Sequence, residues 1–281
     1  MNIQLRTMHH DDLSQGFRLS QQVNWPHRLD DWEQALSLGE GIVAQTEQAI
    51  VGCAVLWPWG EQRSTLGLVI VDAAYQGQGI GKLLMEGLLE KVPEATIRLH
   101  ATEMGKGLYE KYGFKEKSTI FQHQIAQLPT ISVPELVAGE LIRSLKEEEL
   151  ATLIEHDFQS HGLHRPTLWQ NLFESADIWV LEKSKIIQGY VAVRQFGRGY
   201  VIGPLLAHDE NSAQKLFCYG ASSLTGKFVR VDTHGNTDFS DWLVQQGLPC
   251  IDAPIMMIRG EPWSRPEGAM SDYSFMSQAM G

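Results

Sequence analysis

One stretch of the chain, from Leu66 to Glu90, limits the available folds more than any other. It begins with an apolar run, Leu66–Val71, that fits a buried strand. The chain then turns and passes through a glycine-spaced loop at positions 76–81, with the sequence Gln-Gly-Gln-Gly-Ile-Gly. Apolar residues follow at three- and four-residue steps, the spacing of one helical face: Ile80, Leu83, Leu84, Leu88 and Val92. The stretch therefore predicts a buried strand, a loop and a helix in direct succession.

The loop is suited to an anion. The start of a helix leaves backbone N–H groups unpaired and carries partial positive charge. Glycines at 79 and 81 remove side chains, so a pyrophosphate can approach those amides. Two other glycine motifs do not fit, because Gly81-Lys82 is followed by Leu83 and the glycines lie two residues apart. A glycine-rich turn without a ligand is the alternative.

A second motif closes the same part of the chain. Thr96–Phe114 predicts a strand, a loop and a short helix, and it ends in Leu-Tyr-Glu-Lys-Tyr-Gly-Phe at 108–114. Together with the Gln76-x-x-Gly79-x-Gly81 loop, this run resembles the GNAT acetyltransferase superfamily. The resemblance implies that the loop binds the pyrophosphate of acetyl-CoA and that Tyr109 is the catalytic general acid. The alternative for Tyr109 is aromatic packing on the inner face of a helix.

The resemblance also implies the other site residues. The acetyl-CoA contacts would come from the central strand, the loop and the position before the Tyr helix: Val69, Ile70, Val71, Gln76, Gly77, Gln78, Gly79, Ile80, Gly81, Lys82 and Thr102. A backbone N–H within Val69–Val71 would polarise the thioester. Trp25 and His27 stand where GNAT folds line the acceptor pocket, with loop packing as the alternative. Many relatives carry Asn at the position of Thr102.

The base that deprotonates the amine is not identified by the sequence. Four residues are candidates, and each is more often a solvated surface residue: Glu61, His100, Glu103 and His27. Four polar residues of the second half end strands and are candidates to face the cleft: Arg194, Arg230, Asp232 and His234.

The order of predicted strands and helices repeats after residue 139, which predicts an internal duplication. Together with this repeat, the resemblance implies an α+β chain with a mixed sheet and two consecutive GNAT folds. The predicted units are an N-terminal catalytic domain (1–126), a linker (127–139), a C-terminal GNAT-like domain (140–260) and a tail (261–281) that lies on the surface or is partly disordered. The second copy is degenerate, since Asp209 and Glu210 replace the glycine loop and Leu243 stands in place of Tyr109. This arrangement resembles tandem GNAT proteins with a YitH-type C-terminal domain.

The composition and net charge of the chain limit the classes of molecule that it is expected to bind. The net charge of −11 argues against nucleic acid held by counterion release. No apolar run is long enough to cross a membrane, so we expect no membrane partner. Three cysteines without pair spacing predict reduced core thiols and a cytoplasmic protein, and the histidines lack metal-ligand spacing, so no metal is expected. The sequence is compatible with a homodimer.

The predicted reaction is transfer of the acetyl group of acetyl-CoA to a primary amine of a small molecule by direct attack, with Tyr109 as general acid. One alternative is a protein or peptide acetyltransferase. Another is a non-catalytic acyl-CoA-binding sensor.

Overall fold

The described part of the chain folds into one long mixed sheet with helices on its faces. The computed structural model describes residues 3–281. Its strands are β1 Gln4–Thr7, β2 Glu40–Gln45, β3 Ile50–Pro58, β4 Arg63–Val71, β5 Thr96–Ala101, β6 Lys115–Ile125, β7 Glu140–Ser144, β8 Asp177–Lys183, β9 Ile186–Phe196, β10 Gly199–Ala207, β11 Val229–His234, β12 Cys250–Asp252, β13 Ile255–Arg259 and β14 Ser271–Ser274. Its helices are α1 Leu13–Gln22, α2 Leu29–Leu38, α3 Ile80–Leu89, α4 Glu103–Glu110, α5 Leu150–His161, α6 Pro166–Ser175, α7 Glu210–Ser222 and α8 Asp238–Gln245.

Helix α3 forms where the apolar spacing predicted it. Ile80, Leu84 and Leu88 are fully buried against the sheet, while Lys82 on the opposite face is exposed. Gly79 precedes the helix in the left-handed region, with φ near +81°. Glycine adopts this conformation without steric cost, so the loop can turn sharply into the helix. The predicted strand, loop and helix are therefore confirmed.

The two halves share strands. The order across the sheet is β1-β2-β3-β4-β5-β13-β6-β11-β10-β9-β8-β7, with β12 on β6 and β14 on β10. Strand β13, which comes late in the chain, thus lies between β5 and β6 of the first half. Strand β6 in turn pairs with β11 of the second half. The order of elements along the sequence did not predict that a strand of the second half would lie between strands of the first. The predicted domain boundaries stay a prediction.

The central strand of the first half separates from its neighbour. Strands β4 and β5 are parallel and pair only as far as Leu66 and Leu99, so the rest of β4 diverges. On its other edge β4 carries a bulge, because Val55 pairs with Gly67 but Cys53 pairs with Ile70. Leu68, with φ near +51°, and Val69 together face a single residue of β3. A bulge leaves one residue outside the ladder and re-aims its backbone groups.

The second half repeats this plan but closes the opening. Strands β10 and β11 are also parallel and pair only at Tyr200–Val201. Strand β14 then pairs with β10 at Leu205–Ala207, on the stretch beyond that short pairing. The predicted surface tail is therefore wrong for its last part, since Met270, Phe275, Met276 and Met280 are buried. These apolar side chains are separated by polar residues without regular spacing, so no periodicity in the sequence predicted that they would be buried.

The burial of the three cysteines tests a further prediction from the sequence. Cys53 and Cys218 are buried, as expected, but Cys250 is exposed on the short strand β12, so its assignment as a core thiol is wrong. Its neighbours in sequence are apolar, yet the strand lies at an outer position against β6. Among residues 3–281 the structure contains no helix long and apolar enough to cross a membrane.

Candidate active site

A cavity of about 460 Å³ lies where the diverging strands of the first half meet the second half. The α1–α2 connection, the β4 bulge, the end of β5 and helix α4 contribute the first part of its wall. Strands β6, β11 and β12, the β9–β10 turn and the segment Ser277–Ala279 contribute the rest. Its size falls within the range of about 300–1,000 Å³ typical of small-molecule sites.

The cavity brings together five of the predicted site residues: Trp25, His27, Val69, Thr102 and Tyr109. It also includes His100 and Arg230 from the wider candidate sets. Glu61 and Glu103 do not line it, and both side chains are exposed. Ile70, Val71 and the loop residues Gln76, Gly77, Gln78, Gly79, Ile80, Gly81 and Lys82 lie outside the cavity wall.

Tyr109 projects from α4 into this wall. Its ring packs edge-on against Phe114, with ring centroids 6.1 Å apart, and the residue is 9% exposed. Among the described residues its hydroxyl has no hydrogen-bond partner. Burial raises the pKa of the phenol to about 12. Tyr109 therefore remains a protonated donor at every physiological pH.

Thr102 has a local structural task. Its hydroxyl oxygen accepts a hydrogen bond from the Gly105 N–H at 3.3 Å and so caps α4. This contact satisfies one of the unpaired amides at the helix start. Thr102 thereby fixes the first turn of the helix that carries Tyr109.

Two histidines of the wall are neutral. His100 Nδ1–H donates to the Gln278 carbonyl oxygen at 2.6 Å, and burial and then Arg98 lower its pKa to about 3. Burial and then Arg230 lower the pKa of His27 to about 4. His27 packs edge-on against Phe196, with ring centroids 5.3 Å apart. Such low pKa values make either imidazole a weak base.

The glycine loop keeps its anion-binding features. A Cβ atom added at Gly77 or Gly79 would meet no described atom within 4 Å, so space lies open above both residues. No side chain caps the first turn of α3. In the second half, by contrast, the Asp209 carboxylate accepts from the Ser212 N–H at 2.8 Å and caps α7. The start of α7 thus carries a carboxylate where the start of α3 carries none, and only the latter suits a pyrophosphate.

The four polar residues of the second half are buried or partly buried instead of solvated. Arg230 lines the cavity and pairs with Asp232, which does not, with Nε and Oδ1 2.9 Å apart. His234 contacts Asp272 outside the wall. Arg194 donates to the Met276 carbonyl oxygen at 3.0 Å and does not line the cavity.

Sequence reasoning missed six polar residues of the wall: Gln122, Gln124, Arg198, Asp252, Ser277 and Gln278. Gln122 and Gln124 alternate along β6 and so share a face, a period-two signal that was readable in the sequence. Within residues 3–281 no group of three or more His, Cys, Asp or Glu side chains is arranged to hold a metal ion.

Known proteins share this fold along nearly the whole chain. A putative acetyltransferase from Pyrococcus horikoshii superposes with a TM-score of 0.79 at 20% identity, covering 99% of this chain and 96% of that one. A tandem GNAT protein from the clavulanic acid biosynthesis pathway superposes with a TM-score of 0.68 at 12% identity, covering 92% and 98%. A diverging mixed sheet is thus present in both halves, and in the first half it lies beside a glycine loop at a helix start; this is the tandem fold that these proteins share.

Sequence comparison identifies the family. Residues 37–116 and 153–270 each match a family described as acetyltransferase (GNAT) domain. The chain is 28% identical to the uncharacterized N-acetyltransferase YitH of Bacillus subtilis (strain 168), over 99% of this chain and 98% of that protein. It is 21% identical to the holothin acyltransferase of Pseudoalteromonas sp. (strain SANK 73390), over 87% and 82%. The chain belongs to the GNAT acetyltransferases, with two consecutive domains, and this membership implies use of an acyl-CoA.

Proposed function

We propose that the protein transfers the acetyl group of acetyl-CoA to a primary amine of a small molecule by direct attack. The observation that carries this proposal is the cavity, which joins Tyr109, the bulge at Val69 and the predicted acceptor residues Trp25 and His27. Its modest volume and its walls from both halves favour a small acceptor over a protein chain.

The loop at 76–81 and the start of α3 would hold the pyrophosphate of the co-substrate. Free amides and open space above Gly77 and Gly79 fit this group. The divergence of β4 from β5 gives an extended thioester arm a path towards the cavity. Of the three predicted strand residues, Val69 lines the cavity and stands in the bulge, so its backbone N–H is our candidate to polarise the thioester carbonyl.

Tyr109 is the proposed general acid. Its hydroxyl is protonated and has no partner among the described residues, so it is free to donate towards the leaving sulfur. His100 and His27 keep neutral rings beside the acceptor, where they can orient an amine by hydrogen bonding or packing. An acceptor ammonium gives its proton to water before attack, and the proton that the nitrogen then loses on forming the amide balances the one that the thiolate takes up.

Two measurements test the proposal. Thiol release from acetyl-CoA across a panel of small amines should depend on the amine, with acetylated product formed in equal amount. Titration calorimetry should give one acetyl-CoA site per chain, because Asp209 occupies the helix start in the second half. Two equivalent sites per chain, or thiol release that no amine stimulates, would contradict the proposal.

A further inference from the structure

Arg230 forms a buried cationic part of the cavity wall. The residue is 4% exposed, and its guanidinium group lies over the ring of Phe196, 5.6 Å from the centroid. Its Nε and Nη2 groups donate to the Asp232 carboxylate at 2.9 and 3.0 Å. Nη2 also donates to Gln278 Oε1 at 3.1 Å. These contacts fix the plane of the guanidinium group.

One end of this guanidinium group stays available. Among the described residues Nη1 has no hydrogen-bond partner, and it keeps some exposure to solvent. Arg230 lines the cavity, so Nη1 is accessible from that side. A guanidinium nitrogen has only donors to offer, so its natural partner is an oxygen acceptor.

The surrounding charges favour an anion over a cation. Arg198 lines the same wall, and Arg194 lies against the ring of Phe196, 5.2 Å from the centroid, without a carboxylate partner in the described chain. Asp232 is already paired with Arg230 and does not line the cavity, and Asp252, the one carboxylate that lines it among residues 3–281, is exposed. The low pKa of His27 agrees with positive charge here, because Arg230 is its second cause after burial.

We infer that the acceptor carries an oxyanion, a carboxylate or a phosphate, in addition to its amine, and that Arg230 binds this group through Nη1. The inference rests on the proposed function, since it describes the acceptor of that reaction. The same positive charge disfavours a bound ammonium ion and so lowers the pKa of the acceptor amine. This accounts for a site whose two histidines are weak bases.

The test compares matched amines in the thiol-release assay. Each pair differs in one group: amino carboxylates against their carboxamides, and amino alcohol phosphates against the free alcohols, over several chain lengths. We expect the anionic member of the preferred pair to have a kcat/KM at least about tenfold higher, the size of one good charged hydrogen bond. The carboxylate and phosphate series distinguish the two oxyanions.

A double variant, Arg230→Gln with Asp232→Asn, removes the cation without leaving a buried unpaired carboxylate. It should lose the preference for the anionic member, so that the kcat/KM values of the two members of a pair become nearly equal. Lys215→Gln with Glu140→Gln is the matched control, because it neutralises a buried ion pair that does not line the cavity. Arg230→Lys, which keeps the charge, serves if the double variant fails to fold and should weaken the preference.

The outcomes separate the two proposals. Equal turnover of neutral and anionic amines, or a preference that survives in the double variant, would overturn the role of Arg230 and leave the acetyltransferase proposal standing. If no amine releases thiol, the acetyltransferase proposal fails. Calorimetric binding of the anionic amines to the CoA-saturated protein then decides: binding lost in the double variant supports the oxyanion site, and absence of binding refutes it.

Discussion

Replacing Tyr109 by Phe removes a single oxygen atom from the cavity wall. The ring and its edge-on contact with Phe114 remain. The hydroxyl has no hydrogen-bond partner among the described residues, so its loss leaves no donor or acceptor unpaired. We therefore expect unfolding free energy to change by less than about 1 kcal/mol, and acetyl-CoA affinity to stay the same.

The pKa of the phenol determines the size of the catalytic effect. A value of about 12 makes Tyr109 a weaker acid than a thiol, whose pKa is about 8.5. Complete proton transfer to a thiolate would be uphill by roughly 5 kcal/mol at 1.36 kcal/mol per pKa unit. The main contribution is then a hydrogen bond that strengthens as charge develops on sulfur. Such bonds to charged groups contribute about 1.5–3 kcal/mol, which corresponds to a kcat reduced about tenfold to 150-fold.

Steady-state kinetics on an amine that the wild-type protein acetylates provide the assay. The loss should appear in kcat, because the interaction is made only as the thiolate forms. Wild-type kcat should also show no decline from Tyr109 ionisation below about pH 10, since the phenol titrates at about 12. A Tyr109→Phe variant with wild-type kcat would show that the tyrosine is a packing residue.

Two further predictions concern the loop and the buried histidine. Gly79→Val should abolish acetyl-CoA binding in calorimetry. Gly268 has a similar φ of +78° and equally open surroundings, so Gly268→Val introduces the same backbone strain and should leave binding unchanged. Equal loss of binding in both variants would refute a phosphate site at the loop. Because the folded pKa of His100 is about 3 against 6.5 unfolded, unfolding takes up a proton as pH falls through this window, and stability decreases with it. His100→Asn, which keeps an N–H donor for the Gln278 carbonyl, should flatten the decline in melting temperature between about pH 6.5 and 4; an unchanged decline would assign it to other groups.

The local part of the fold could be predicted from the sequence because it depends on neighbours in the chain. The apolar spacing of Ile80, Leu84 and Leu88 places them on one helical face, and they are buried. When Leu243 is aligned with Tyr109, Gly247 is aligned with Gly113. Both glycines adopt positive φ after corresponding helices, which agrees with this alignment. Leu243, the counterpart of Tyr109, lies fully buried in the core of the second half.

The rest depends on contacts between residues far apart in sequence. The apolar sequence of β13 would look the same whichever strand it paired with. Periodicity therefore could not predict that β13 pairs with β5 of the first half. Gln278 joins the cavity from the end of the described chain through its contacts with His100 and Arg230. The predicted residues Trp25, His27 and Tyr109 do meet at one cavity, although their roles stay a prediction.

The position of β13 between β5 and β6 affects how the chain is made. While the ribosome is still adding the second half, β5 and β6 face each other across the place of a strand that has not yet been synthesised. Both edges then expose unpaired backbone groups, which are templates for aggregation. Closing this gap joins residues 255–259 to residues 97–101, a sequence separation that slows folding. We therefore expect the nascent first half to depend on chaperones, and the cavity to form only when both halves close together.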